Sequence, residues 1–212
     1  MTTASFAHYE TPLHELPFTA LDLETTGYSP PLARITEIAM IPMGKNAGDP
    51  FQTLIDPGVS IPREIIELTG ITNAMVQGKP SIEEVFPTIK RLLYGTIFVS
   101  HNVPFDWNFI DHAFRCFDSG PLSMPSLCTL HLSRKYLKKN ELLTSHKLES
   151  VARHLSVDLK GAHRAMADTK AVYGLMKHFL ADLDRLGMKT GGDLVKAGLI
   201  KLVHDPKRSR ES

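Results

Sequence analysis

Two acidic residues stand two positions apart at the end of an apolar run, Asp22 and Glu24 in FTALDLETTG. If Phe18–Glu24 is a buried strand, side chains at i and i+2 share a face, so the two carboxylates lie side by side. Adjacent carboxylates repel unless protons or cations neutralise them. The carboxyl end of an α/β strand is also where ligands settle. A divalent metal satisfies both arguments, and the plainer alternative is a solvated strand end with both acids facing water. Asp106, in SHNVPFDWNFID, follows a strand-like stretch and falls in the first turn of a helix. The helix dipole favours a carboxylate there, so a capping acid is its plain reading. Asp168, in GAHRAMADTKAV, opens the last long helix among small residues, five positions after His163. Ala165 and Ala167 would let that helix approach a sheet closely, and an exposed helix acid is the alternative. A histidine titrates near neutral pH, which suits His163 to taking a proton. Its plain reading is a loop histidine, one of ten in the chain.

The elements that must position these groups follow from pattern. Phe18–Glu24, Arg34–Met43 and Phe51–Asp56 read as strands joined by short, turn-rich connections, hence an antiparallel meander. Helices then take over. PREIIELTG is a short helix ended by Gly70, and Ser81-Ile-Glu-Glu84 is a capping box opening a helix to about Tyr94. Thr96–Ser100 is a buried strand. Pro104–Phe117 places Phe105, Phe109, Ala113, Phe114 and Phe117 on one helical stripe. Ser145 can cap a helix to about Leu155, and Ala165 to about Leu186 is the final long helix. A meander followed by alternating helices and strands predicts a three-layer α/β/α domain around a mixed, five-stranded sheet. The expected division is a loose arm at 1–16, one domain at 17–186, and a short extension at 187–212 that is partly disordered.

Composition narrows the class. The 212 residues hold 24 basic and 23 acidic side chains, and 42% are hydrophobic, which excludes global disorder. A net charge of +1 argues against a protein that coats nucleic acid, so contact should be local, as at a strand end. Cys116 and Cys128 form neither a metal motif nor a disulfide framework and are expected to be buried small apolar residues in a reducing compartment. With no signal peptide and no stretch long enough to span a bilayer, a cytoplasmic protein without a membrane partner is expected.

Taken in order, DLETTG, HNVPFD and AHRAMAD resemble the three exonuclease motifs of the DnaQ-like family, the DEDDh exonucleases, which include a polymerase proofreading subunit. IPREIIELTGITNAMV, SLCTLHLSRKYL and SHKLESVARHL extend the likeness over roughly residues 17–180. His163 before Asp168 marks the histidine branch; the sister branch has a tyrosine where this chain has Arg164.

The resemblance implies an RNase H-like fold and release of 3′-terminal nucleotides as monophosphates. It implies two divalent cations, Mg²⁺ or Mn²⁺, held by Asp22, Glu24, Asp106 and Asp168, with Asp22 bridging and His163 acting on the attacking water. Thr25 would contact the terminal nucleotide through its backbone, and Ile71 and Phe105 would line the base pocket. Core packing is an equal reading for Phe105. His101 either binds the strand or caps the turn after its own strand. The cluster RKYLKK (Arg134–Lys139) reads first as a solvated helix face and second as a guide for phosphates. The expected partner is a nucleic-acid 3′ end, DNA in preference to RNA. RNA trimming and a non-catalytic binding module on the same fold are the alternatives. The tail matches no polymerase-binding segment, so a free-standing nuclease is as much expected as a polymerase-bound one. Oligomeric state is left open.

Overall fold

The computed structural model describes residues 6–118, 120–138 and 143–202. Its centre is β1 (Phe18–Thr25), whose alternate residues serve two separate cores. Phe18 and Ala20 pack on one face of the sheet, Leu21 and Leu23 on the other. That two-sided burial explains why the run is apolar throughout instead of alternating with polar residues. β2 (Ile35–Met43) lies antiparallel to β1, and β3 (Phe51–Leu54) lies antiparallel to β2. On the other side of β1, β4 (Ile97–Ser100) runs parallel to it, followed by β5 (Ser126–Cys128) and then the antiparallel β6 (Ile200–Lys201). The order is β3-β2-β1-β4-β5-β6, six strands where five were expected. β5 and β6 have three and two residues, too few for any alternation to show in the sequence.

Helices cover both faces. α1 (Arg63–Thr69) ends at Gly70 in the left-handed conformation, and α2 (Asn73–Val76) follows. Both pack a small separate cluster of Ile61, Ile65, Ile71 and Val76. α3 (Ile82–Leu93) and α4 (Val103–Phe117) bury Val85, Ile89, Trp107 and Ile110 against Leu21 and Phe98. α5 (Thr129–Tyr136), α6 (Leu148–His154) and α7 (Ala165–Arg185) cover the opposite face. The α7 stripe Val172, Leu175, Met176 and Phe179 is fully buried. Each such side chain contributes roughly 1.5–3 kcal/mol, enough to fix the helix that carries Asp168. Gly174 sets how closely α7 can lie, because a Cβ there would meet Val157 Cγ1 at 2.6 Å.

Several expectations need correction. The segment before β1 is no loose arm where it is described. Phe6, Leu13 and Leu16 are buried in the α7-side core, and Pro12 bridges to Thr190. Their irregular spacing hid this. The tail after α7 forms α8 (Gly191–Lys196) and β6, and residues 203–212 lie outside the described residues. Ser145 does not cap α6; its hydroxyl pairs with Ser150 Oγ, and the N-cap Lys147 has no side-chain cap. The stripe on α4 is broader than its phenylalanines, since Trp107 and Ile110 are buried while Phe117 is exposed. Cys116 is exposed and Cys128 half-buried, both as free thiols, so neither is the core residue expected. Among the described residues, no helix is long and apolar enough to cross a membrane.

Candidate active site

Asp22 and Glu24 continue the alternation of Phe18 and Ala20, so they face α7 at the carboxyl end of β1. α7 meets them with its first turn, where Asp168 is buried. Carboxylate oxygens of Asp22, Glu24 and Asp168 lie within 4.8 Å of one another. Asp106, in the first turn of α4, stands outside that triad, yet its charge acts on Asp22 more strongly than any other carboxylate does. It is 3% exposed, and its Oδ1 meets no donor in hydrogen-bonding geometry. Three elements thus bring four acids to one rim of the sheet.

Four acids so placed cannot all stay charged without help. Burial, then Asp168, Glu37 and Asp106, push Glu24 up to about 8 against the opposing pull of Arg164. Burial pushes Asp106 up to about 7. Asp22 rises well above the ordinary range, first through burial and then through Asp106, Asp168 and Glu24. Burial also raises Asp168, although the His163 amide partly offsets it. A buried oxygen without a donor and a cluster of proton-hungry carboxylates both fit a hard divalent cation, which takes oxygen ligands.

His163 is joined to this cluster through its backbone. It adopts a left-handed φ of 64°, and its N–H donates to Asp168 Oδ2 at 3.0 Å. The side chain is exposed beside the carboxylates. The next residue is anchored in the sheet. Arg164 Nη2 and Nε donate to Glu37 Oε1 and Oε2 at 2.8 and 3.1 Å, and Ala165 N–H donates to Oε2 at 3.0 Å. Gln52 Nε2 donates to Oε1 at 2.8 Å. Burial alone would raise Glu37, but bonds from Arg164, Gln52 and Ala165 outweigh it and hold the group below its usual range. Sequence reasoning missed Glu37 altogether. The available signal was a lone charge inside the β-branched run ITEIAMI, which a buried strand tolerates only with a partner.

The four residues expected to hold the substrate are placed differently from one another. Thr25 is buried just past a register shift between Glu24 and Thr25, and its hydroxyl donates to Gly27 O. Such irregularities re-aim the chain beside functional sites. Phe105 is half-buried one residue before Asp106, its ring 5.3 Å from that of Phe109. Ile71 is fully enclosed by its own small cluster. His101 is turned inward: Nδ1 meets Thr129 Oγ1 at 3.0 Å and Nε2 meets the His146 carbonyl at 2.8 Å. Burial lowers its pKa, so it stays a neutral tie between β4, α5 and the segment before α6.

Known proteins share this arrangement of sequence and fold. A family model described as "Exonuclease" matches residues 19–176. The DNA polymerase III subunit epsilon of Aquifex aeolicus is 34% identical over 175 residues, which cover 82% of this chain and 84% of that protein. The PolC-type DNA polymerase III of Clostridium perfringens is 38% identical over 162 residues, covering 76% of this chain but only 11% of the polymerase. Among solved structures, the zinc-bound complex of E. coli exonuclease I with single-stranded DNA superimposes with a TM-score of 0.67. That match covers 81% of this chain and 41% of the other at 22% identity, a likeness of fold. The chain belongs to the exonuclease family and has the DnaQ-like fold.

Proposed function

We propose that the protein is a 3′→5′ exonuclease that hydrolyses the terminal phosphodiester of single-stranded DNA and releases nucleoside monophosphates. The observation that carries this reading is the meeting of Asp22, Glu24 and Asp168 within 4.8 Å, with buried Asp106 beside them. DNA is preferred because the named relatives are DNA polymerase III proteins and the exonuclease I neighbour holds single-stranded DNA.

Asp22, Glu24, Asp106 and Asp168 would hold two divalent cations, Mg²⁺ or Mn²⁺. Such ions stabilise negative charge on the attacking and leaving oxygens of a displacement at phosphorus. The chain's own groups do the rest. A ring nitrogen of His163 takes a proton from the attacking water as its oxygen bonds to phosphorus. The bond from phosphorus to the 3′-oxygen breaks, and that oxygen takes a proton from solvent. The Glu37–Arg164 pair holds the turn that presents His163. Phe105 would stack on the terminal base, a contact that tolerates any sequence.

The test compares 5′-labelled single-stranded DNA and RNA of one sequence in Mg²⁺, in Mn²⁺ and in EDTA. Stepwise shortening of DNA from the 3′ end in either metal, stopped by EDTA, is expected. Faster shortening of RNA would transfer the substrate assignment, and no shortening of either strand would remove the enzyme reading.

A further inference from the structure

A cavity of about 290 Å³ opens at the β5–β6 edge of the sheet. It is lined by Asn102 and Pro104 at the start of α4, His131 and Arg134 of α5, and Lys201 of β6. We propose that this cavity binds a backbone phosphate of the substrate strand, upstream of the bond that is cut. The proposal rests on the exonuclease reading for the identity of the strand.

Charge is the first argument. No acidic residue lines the cavity. Arg63, Arg115, Arg164, Arg185, Lys90 and Lys189 each pair with a carboxylate. Among the described residues, Arg134 and Lys201, like several other cations, make no ion pair, but these two line one cavity. They converge from two elements far apart in sequence on one concave surface, an arrangement a merely solvated helix face does not produce. His131 senses the result, since burial and then Lys201, Lys135 and Arg134 depress its pKa. A guanidinium grips phosphate oxygens through paired N–H groups, and an ammonium adds a point charge.

Position is the second argument. Pro104 and Asp106 share the first turn of α4, so the cavity and the carboxylates lie along one rim. β5 lies two strands from β1 in the sheet, or about 10 Å at ordinary strand spacing. A strand whose last phosphate sits on the carboxylates passes this edge. The tail that brings Lys201 is built in place: Lys135 Nζ donates to the Ala197 carbonyl at 2.9 Å, and Thr190 and Asp193 form a capping box on α8. The family match ends at residue 176, so the tail supplies a cation from outside the shared exonuclease region.

The test uses the full chain carrying Arg134→Gln and Lys201→Gln, both exposed side chains. Binding of a labelled single-stranded oligonucleotide is measured in Mg²⁺ against salt, in an Asp168→Asn background that blocks turnover. Loss of this one phosphate contact should weaken binding several-fold near ~0.1 M salt and reduce the salt slope by about 0.7. Turnover of a small chromogenic ester, the p-nitrophenyl ester of thymidine 5′-monophosphate, is followed without the Asp168 change and should be unaltered. If the small ester is not cleaved but oligonucleotide binding still falls, the exonuclease reading fails and the phosphate site stands. Unchanged affinity and slope would overturn the site, as would inorganic phosphate perturbing the His131 ring signal where the oligonucleotide does not. Were the double variant to melt early, Arg134→Gln alone, in α5, should show about half the slope change.

Discussion

Glu24 and Glu37 face each other across the β1–β2 ladder, and the chain treats them in opposite ways. Both are buried, at 8% and 0% exposure. Glu37 receives a guanidinium, an amide N–H and a side-chain amide, and its pKa falls. Glu24 is surrounded by other carboxylates, and its pKa climbs to about 8. The lesson is that burial decides little by itself. At Glu37 the neutralising charge is part of the polypeptide and stabilises the fold. At Glu24 no such charge is supplied by the polypeptide, and on the proposed reading a bound cation would meet that demand.

The sharpest way to break this contrast is to remove charge from the unpaired side. Asp22→Asn should lower turnover of a labelled strand on the order of 10³-fold or more, since several kcal/mol of charge stabilisation are lost. The metal-free variant at pH 8 should melt no lower than the parent, because a repulsive group is gone. A variant that loses stability in step with activity would show that the carboxylates hold the fold together. His163→Asn comes next. Asparagine tolerates the left-handed backbone found there, so the change isolates the ring. Turnover should fall by about 10²-fold with unaltered melting; near-parental rates would remove His163 from the mechanism.

The paired side should behave in the opposite sense. Glu37→Gln strands Arg164 and should cost about 2 kcal/mol, less than a fully enclosed pair would because the arginine side chain is 40% exposed. Melting in denaturant reads this directly. Adding Arg164→Met should recover part of the loss, since the pair is then replaced instead of broken. No recovery would mean that the pair contributes through strand geometry and not through charge.

Acid and base should also separate the two glutamates. For Glu24 the folded value of about 8 lies above the ordinary 4.5, so between those values the folded state keeps a proton that the unfolded chain has released. Raising pH through that window removes stability, and Asp106 acts in the same direction. Glu37 has the reverse sign: its contribution is present above 4.5 and is lost as pH falls through its lowered folded value. The metal-free protein should therefore melt on the order of 5 °C lower at pH 8 than at pH 5.5. Mg²⁺ or Mn²⁺ should abolish most of that difference. A melting curve indifferent to both pH and metal would contradict the electrostatic account.

How much of this was legible in the sequence depended on whether the cause was local. The capping box at Ser81 and Glu84 and the helix end at Gly70 rest on a few adjacent residues, and both are present. So does the shared face of Asp22 and Glu24, which strand alternation dictates. Asp106 and Asp168 needed a combined pattern, because each alone reads as an ordinary helix acid. The partners of Glu37 were invisible because they lie 15 and 127 positions away, at Gln52 and Arg164. Ile71 and His101 illustrate another limit: type and position told nothing about whether the side chain turns toward the rim or into the protein. The strand at Ser126–Cys128 exists because β4 and β6 flank it, not because three residues prefer to extend.

β6 has one more effect, on how molecules meet. It adds only two residues, yet it occupies the outer side of β5. An uncovered strand edge displays free N–H and C=O groups and invites pairing with another chain. A two-residue strand at the rim is too short to pass that invitation on. A chain ended before Gly198 would keep its carboxylates and still present the bare edge of Ser126–Cys128, so its failing would be self-association instead of lost catalysis. The small terminal strand thus acts as a selvedge, keeping the sheet from being woven into its neighbours.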